Sequence, residues 1–178
     1  MSVAYKAGVA VGIFVAITIF VLLMKIVNKD RKLKTEYDEK QLAVRGIGYK
    51  YGFFTIIFYD LAIVVISAMG IKIPMIPEMV LFTGVMLGAI VMASYDIWHD
   101  AYMGLNTNAK GFAVFAVIVA GINLLSALFN WKDLAIYEEG VLQFPFMNLV
   151  CCFAFVLIGI QLFAKSIKDK KEIEEEED

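Results

Sequence analysis

Apolar residues come along this chain in unbroken blocks, without the narrow stripe of a soluble helix or the alternation of a barrel strand. Five blocks, approximately 7–27, 52–71, 79–98, 111–130 and 145–164, each hold about the twenty residues a helix needs to cross a bilayer. Helix is the conformation such blocks require, because hydrocarbon offers no partner to an unpaired backbone amide. Period-two alternation is absent, which argues against barrel strands. The expected fold is therefore an all-α integral membrane protein, a bundle of about five transmembrane helices over residues 1–164. A loop at 28–50 and a charged tail at 165–178 complete it.

Composition strengthens this reading. Hydrophobic residues make up 61% of the 178, against roughly 45–50% apolar in ordinary soluble domains. A chain this short cannot hide such an excess in one soluble core, since most residues of a small domain touch the surface.

Net charge is only -2 and says nothing about a polyanionic partner, but its distribution fixes an orientation. With the N-terminus outside, the inner pieces hold Lys25, Lys29, Arg31, Lys32, Lys34, Lys40, Arg45, Lys50, Lys110, Lys165, Lys168, Lys170 and Lys171. The outer pieces keep only Lys6, Lys72 and Lys132. Positive charge gathers on the cytoplasmic side of membrane proteins, so the expectation is N-terminus out and C-terminus in, in the plasma membrane. Tyr49, Tyr51, Tyr95, Trp98 and Tyr102 mark the inner interface, and Tyr5, Trp131 and Tyr137 the outer one. The first block does not read as a cleaved leader: its apolar run, Ala7 to Met24, is too long and its charges follow it.

The loop between the first two spans is dense in mixed charge, seven basic and four acidic residues from 28 to 50. Thr35 followed by Asp38 resembles a capping box, and Glu36 and Lys40 form a favourable i,i+4 pair, so a short helix is expected from about 36. Pro74 and Pro77 are assigned to an outer turn, and Pro145 to the first turn of the last helix. The tail, with acids at Glu174–Glu177, is expected to fray. Cys151 and Cys152 are adjacent inside an apolar block and read as packing residues, because sequence neighbours rarely reach disulfide geometry.

Small residues at four-residue spacing (Ala4, Gly8, Gly12 and Ala16; Gly48 and Gly52; Gly84 and Gly88) allow close helix approach in lipid. They predict packing faces inside the bundle, or a contact with a second copy through Gly8/Gly12 or Gly84/Gly88.

Asp60 is the one charged residue placed well inside a span. An intramembrane acid is a functional candidate and is expected to face the bundle, with Asn123, Asn148 and Gln161 as candidate partners. Asp96, His99 and Asp100 stand at i, i+3 and i+4, so they would share a face if the third span's helix continued. Two carboxylates and an imidazole make a weak candidate metal set without a fourth ligand, and a solvated helix end is the plainer reading. No nucleophile–base pair, phosphate-cradling loop or dinucleotide fingerprint is present, and no cofactor is implied. The inner cations are interleaved with acids, which does not suit direct nucleic-acid binding.

Two stretches carry a resemblance. Tyr37-Asp38-Glu39-Lys40-Gln41, then Arg45-Gly46, then Tyr49-Lys50, is similar to the juxtamembrane signature of a broad set of small multi-pass bacterial membrane proteins, in which Lys40 is more often Arg. Asp100-Ala101-Tyr102-Met103-Gly104-Leu105-Asn106 is similar to a second segment of that set, where an aromatic more often replaces Met103. The resemblance implies a multi-pass membrane protein and no defined activity; by analogy, some small proteins of this kind hold a helix-turn-helix regulator at the membrane. The functional expectation is a non-enzymatic membrane-anchored regulator or accessory subunit. It would bind a cytoplasmic partner through Asp38, Glu39, Lys40, Gln41 and Arg45. The alternative is a small proton- or cation-coupled transporter that uses Asp60.

Overall fold

The computed structural model describes residues 27–129, 137, 138 and 140–177, with scattered helical positions between 7 and 25. Nine of the 21 residues of the first apolar block, Gly8 and Gly12 among them, lie outside the described residues. Four helices follow: α1 (Glu39–Ala68), α2 (Pro77–Trp98), α3 (Ala109–Phe129) and α4 (Pro145–Glu177). A two-stranded antiparallel hairpin, β1 (Tyr137–Glu138) with β2 (Val141–Leu142), precedes α4. All four helices are long and apolar enough to cross a membrane. Only 6% of the most apolar stretch of α1 is buried inside the protein, 28% in α2, 11% in α3 and 6% in α4. Phe53, Phe58, Leu81, Val117 and Phe163 are among the large side chains left outside. Water tolerates exposed apolar patches of only a few hundred Å², so this surface suits lipid.

The helices run up and down with α1 against α2, α2 against α4, and α4 against α3. The α1–α2 seam is built on glycine. A Cβ on Gly52 would stand 2.8 Å from the Gly88 carbonyl oxygen, and one on Gly88 the same 2.8 Å from that of Gly52. The Tyr59 ring covers Gly84, where a Cβ would lie 2.6 Å from Cδ1. The Gly84/Gly88 face, a candidate contact for a second copy, is thus occupied by α1 within the chain.

The other seams use paired polar side chains. Gln161 donates to Ser94 Oγ (2.9 Å) between α4 and α2, and Asn148 to Ser126 Oγ (3.2 Å) between α4 and α3. Gly121 and Gly159 meet nothing within 4 Å, and a groove of about 960 Å³ lies open between α3 and α4.

Helix ends follow local chemistry. α1 begins at an N-cap Asp38, whose carboxylate accepts from the Gln41 amide (2.7 Å) while Gln41 Oε1 accepts from the Asp38 amide (3.3 Å). The capping box therefore sits three residues later than Thr35–Asp38, and the helix runs without a break from Glu39 into the span. Gly70 ends α1 at φ 75, with Gly70 N–H donating to Ser67 O and Ile71 N–H to Ile66 O, the paired bonds of a left-handed C-cap. Pro77, assigned to the outer turn, is the first residue of α2, where a missing amide costs nothing. Pro145 opens α4 as expected. Leu142 exchanges backbone bonds with Pro74 (2.9 Å) and Ile76 (3.3 Å), which docks the hairpin onto the turn before α2. The tail is helical through Glu177 and not frayed there, with Lys165–Asp169 (2.6 Å) and Lys168–Glu172 (3.4 Å) pairing at i,i+4.

Candidate functional site

The two stretches that carry the resemblance lie some sixty residues apart, yet they fold against each other at one end of the bundle. Gln41 is the hinge of the contact. Its carbonyl completes the α1 cap, and its Nε2 donates to the Asp100 carbonyl (2.9 Å) and the Met103 carbonyl (3.0 Å). One amide thereby spends both its donors and one of its acceptor sites inside the protein.

Asn106 answers from the other side. Its Oδ1 accepts from the Glu36 amide (2.9 Å), and its Nδ2 donates to the Lys34 carbonyl (3.0 Å) and the Asp30 carboxylate (3.2 Å). Its own carbonyl accepts from the Lys29 amide (2.7 Å). Gly104 lies under Thr35 and the Glu36 carbonyl, with no room for a Cβ. The Lys32 amide and Asn106 together hold the Asp30 carboxyl below the ordinary range. The segment 28–38 is therefore a folded strap across the 100–108 turn.

Beneath the strap sits a buried charge pair. Asp96 is 1% exposed and Arg45 17%, with Arg45 Nη1 3.4 Å from Asp96 Oδ2. The same Nη1 donates to the Ala101 carbonyl (3.2 Å), and Nη2 to the Tyr49 hydroxyl (3.0 Å). The guanidinium stacks 4.3 Å from the Tyr37 ring centroid, an attractive placement for a cation. Gly48 leaves room for the Asp96 carboxylate, which a Cβ there would strike. Neither Asp96 oxygen has a well-formed hydrogen bond, so the ion pair carries the compensation for burying this carboxylate. Close by, burial pushes the Tyr102 phenol up to about 12, with Tyr37 adding to it. Tyr37 is raised for the same main reason.

The sequence-based candidates separate on this geometry. Asp38, Glu39 and Lys40 are exposed, whereas Gln41 and Arg45 point into the fold. Asp96, His99 and Asp100 do not share a face, because α2 stops at Trp98 and Asp100 takes a left-handed φ of 60. Ala101 N–H then donates to the Asp96 carbonyl (2.8 Å), the Asp100 side chain reaches Lys165 on α4 (2.9 Å), and His99 Nδ1 pairs with the Tyr95 carbonyl (2.8 Å). No group of three His, Cys, Asp or Glu able to hold a metal occurs among the described residues. Nor is Asp96 a solvated helix end: it is the most deeply buried charge described.

Asp60, expected to face the bundle, is exposed on α1. The α1 positions that meet α2 include Gly48, Gly52, Ile56 and Tyr59, and the residue after Tyr59 turns about 100° away from that line. Its candidate partners are engaged elsewhere: Asn148 with Ser126, Gln161 with Ser94, and Asn123 with its own helix at the Val119 carbonyl (2.8 Å).

The Arg45–Asp96 pair went unrecognised in the sequence, although a signal was present. Both residues lie at the inner border assigned by charge, each beside an aromatic cluster and one on each side of a Gly48/Gly52 face. No protein family, curated protein or solved structure matches the chain.

Proposed function

We propose that this chain is a non-enzymatic, membrane-anchored regulator or accessory subunit that holds a protein partner on its cytoplasmic face. In this reading the chain makes five spans, N-terminus out and C-terminus in, in the bacterial plasma membrane. The one observation that carries the reading is the strap. Asn106 spends its side-chain amide on fixing it, Gln41 caps its end, Arg45 stacks on its Tyr37 and Gly104 packs against its Thr35, and that fixed shape leaves Glu39, Lys40 and three leucines facing outward. Leu33, Leu42 and Leu105 are 50%, 56% and 59% exposed, beyond the apolar run of the spans, where water would otherwise meet them. An ordered edge of apolar and charged side chains is the kind of surface a protein partner covers.

The reading narrows the binding residues to Asp38, Glu39 and Lys40 with these leucines, and makes Gln41 and Arg45 supports. The test is crosslinking of the tagged chain in its native cell. The E39K/K40E/L42S variant is expected to lose a co-purifying partner while remaining folded in the membrane. An unchanged set of co-purifying proteins would overturn the proposal. Cysteine labelling tests the topology: residues near 33 and 170 are expected to react from the same side.

Coupled transport through Asp60 has less support. Its carboxylate lies off the α1–α2 seam, and the amides that could relay a proton to it are paired with other groups.

A further inference from the structure

A second pocket, of about 720 Å³, lies where the first apolar block meets the start of α3, lined by Leu22, Lys25, Asn28, Lys29, Arg31 and Asn108. Three of its six lining residues are cations and none is an acid. Lys32, Arg45, Lys165 and Lys168 form ion pairs, whereas Lys25, Lys29 and Arg31 have no ion-pair partner among the described residues. Asn28 supplies an independent observation. It is 2% exposed, its Nδ2 is committed to the Lys32 carbonyl (2.9 Å), and its Oδ1 is buried with no partner. The Lys32 carbonyl fixes which way the amide points, so the unused group is an acceptor waiting for a donor.

The pocket is also held in shape. Arg31 sits at φ 58, a left-handed conformation that side-chain-bearing residues avoid. It is kept there by the Arg31 N–H bond to the Asn28 carbonyl (3.1 Å), by the Lys29 amide on Asn106, and by the Asn108 amide on the Val27 carbonyl (2.8 Å). Strain maintained by this many neighbours gathers at binding sites.

We infer that this pocket binds the headgroup of an anionic phospholipid, with Lys25, Lys29 and Arg31 around the phosphate and Asn28 Oδ1 accepting from a headgroup hydroxyl. Leu22, one turn of helix before Lys25, meets the start of an acyl chain. The occupant is a lipid, because the site lies at the boundary between an apolar block and a charged segment, where headgroups stand. The basic side assigned to this segment is also the one whose leaflet is anionic. Phosphatidylglycerol has both the charge and the hydroxyl; phosphatidylcholine has neither a net charge nor a hydrogen-bond donor.

The test uses the full chain in nanodiscs of equal phosphatidylglycerol and phosphatidylcholine, followed by mild detergent extraction and native mass spectrometry of retained lipid. Phosphatidylglycerol is expected to be retained at least about tenfold over phosphatidylcholine, because three basic groups act on one phosphate. The K25Q/K29Q/R31Q variant is expected to lose that preference. K32Q/K168Q, which removes two cations outside the lining, is expected to keep it, with circular dichroism confirming helix content in both. Equal retention of the two lipids, or a preference that survives the triple substitution, would overturn the assignment. Displacement by millimolar inorganic phosphate would mark a free-anion site and overturn it as well.

Discussion

The α1–α2 pair and the α3–α4 pair are made of similar apolar helices, yet they solve packing in lipid in opposite ways. In α1–α2 every buried glycine is used: Gly48 admits a carboxylate, Gly52 and Gly88 bring two backbones together, and Gly84 seats a tyrosine ring. In α3–α4 the glycines Gly121 and Gly159 face open space, and a groove separates parts of the two helices. Lipid gives no hydrophobic drive for two helices to meet, so close packing and polar pairing decide which contacts are firm. The lesson is that a glycine in a span is not evidence of a contact; what stands opposite it is.

Several perturbations would break or sharpen this contrast. The largest effect is expected at Arg45→Met, which strands the buried Asp96 carboxylate and should cost about 3–5 kcal/mol. Reversible unfolding in mild detergent with a graded denaturant would measure it. The R45M/D96L double variant should recover most of that loss, and a double variant as unstable as the single would show that the pair is not the reason.

Next comes Gly88→Ala, which forces a Cβ against the Gly52 carbonyl and should cost about 1–3 kcal/mol. Gly159→Ala should instead leave stability unchanged or raise it by up to about 1 kcal/mol, since alanine is the better helix former. Equal losses at the two sites would erase the distinction between the pairs.

Gln41→Ala removes half of a capping box and two bonds to the 100–103 turn, with an expected cost of about 1–2 kcal/mol. Faster hydrogen exchange at the Leu105 and Glu36 amides would report the loosened strap.

A pH titration should give a smaller signal. The Tyr102 phenol has its folded-state pKa above the ordinary value, so the neutral form is favoured by folding. The associated stability is complete below about pH 10 and is lost as pH rises toward about 12. Phenolate absorbance should show a tyrosine step at about 12, and Tyr102→Phe should remove that step. Last, Asp60→Asn should leave stability unchanged or raise it, because Asp60 lies outside the packed seams and an amide is less costly in an apolar span than a carboxylate.

Much of this architecture was legible in the sequence. The block at 79–98 became a helix at Pro77–Trp98, the block at 111–130 one at Ala109–Phe129, and Pro145 opened α4. At α1 the helix expected from about 36 is present, capped at Asp38, but it is not short: it runs on as one helix through the oil-crossing stretch that begins near 52. The charged tail, expected to fray, is helical as well. A run of charge looks solvated in one dimension, and the i,i+4 spacing of Lys165 with Asp169 and of Lys168 with Glu172 shows that it supports a helix.

Asp60 and Asp96 show the deeper limit. Distance along a helix gives depth in the membrane, but burial depends on azimuth, and azimuth is set by the neighbouring helix. Gly48 opposite Asp96 fixes it for one, and Tyr59 beside Asp60 turns the other away.

The length of α4 has a mechanical consequence. Its 33 residues extend about 50 Å, and oil accounts for only about 30 Å of that. The surplus stands clear of the headgroups as a stiff mast, stayed near its foot by the Lys165–Asp100 tie. Its glutamates are carried to the tip, away from the phosphates that would repel them. Any tilt of the helix within the bilayer would therefore sweep that acidic tip through an arc, and the tie would pull on the turn beneath the strap.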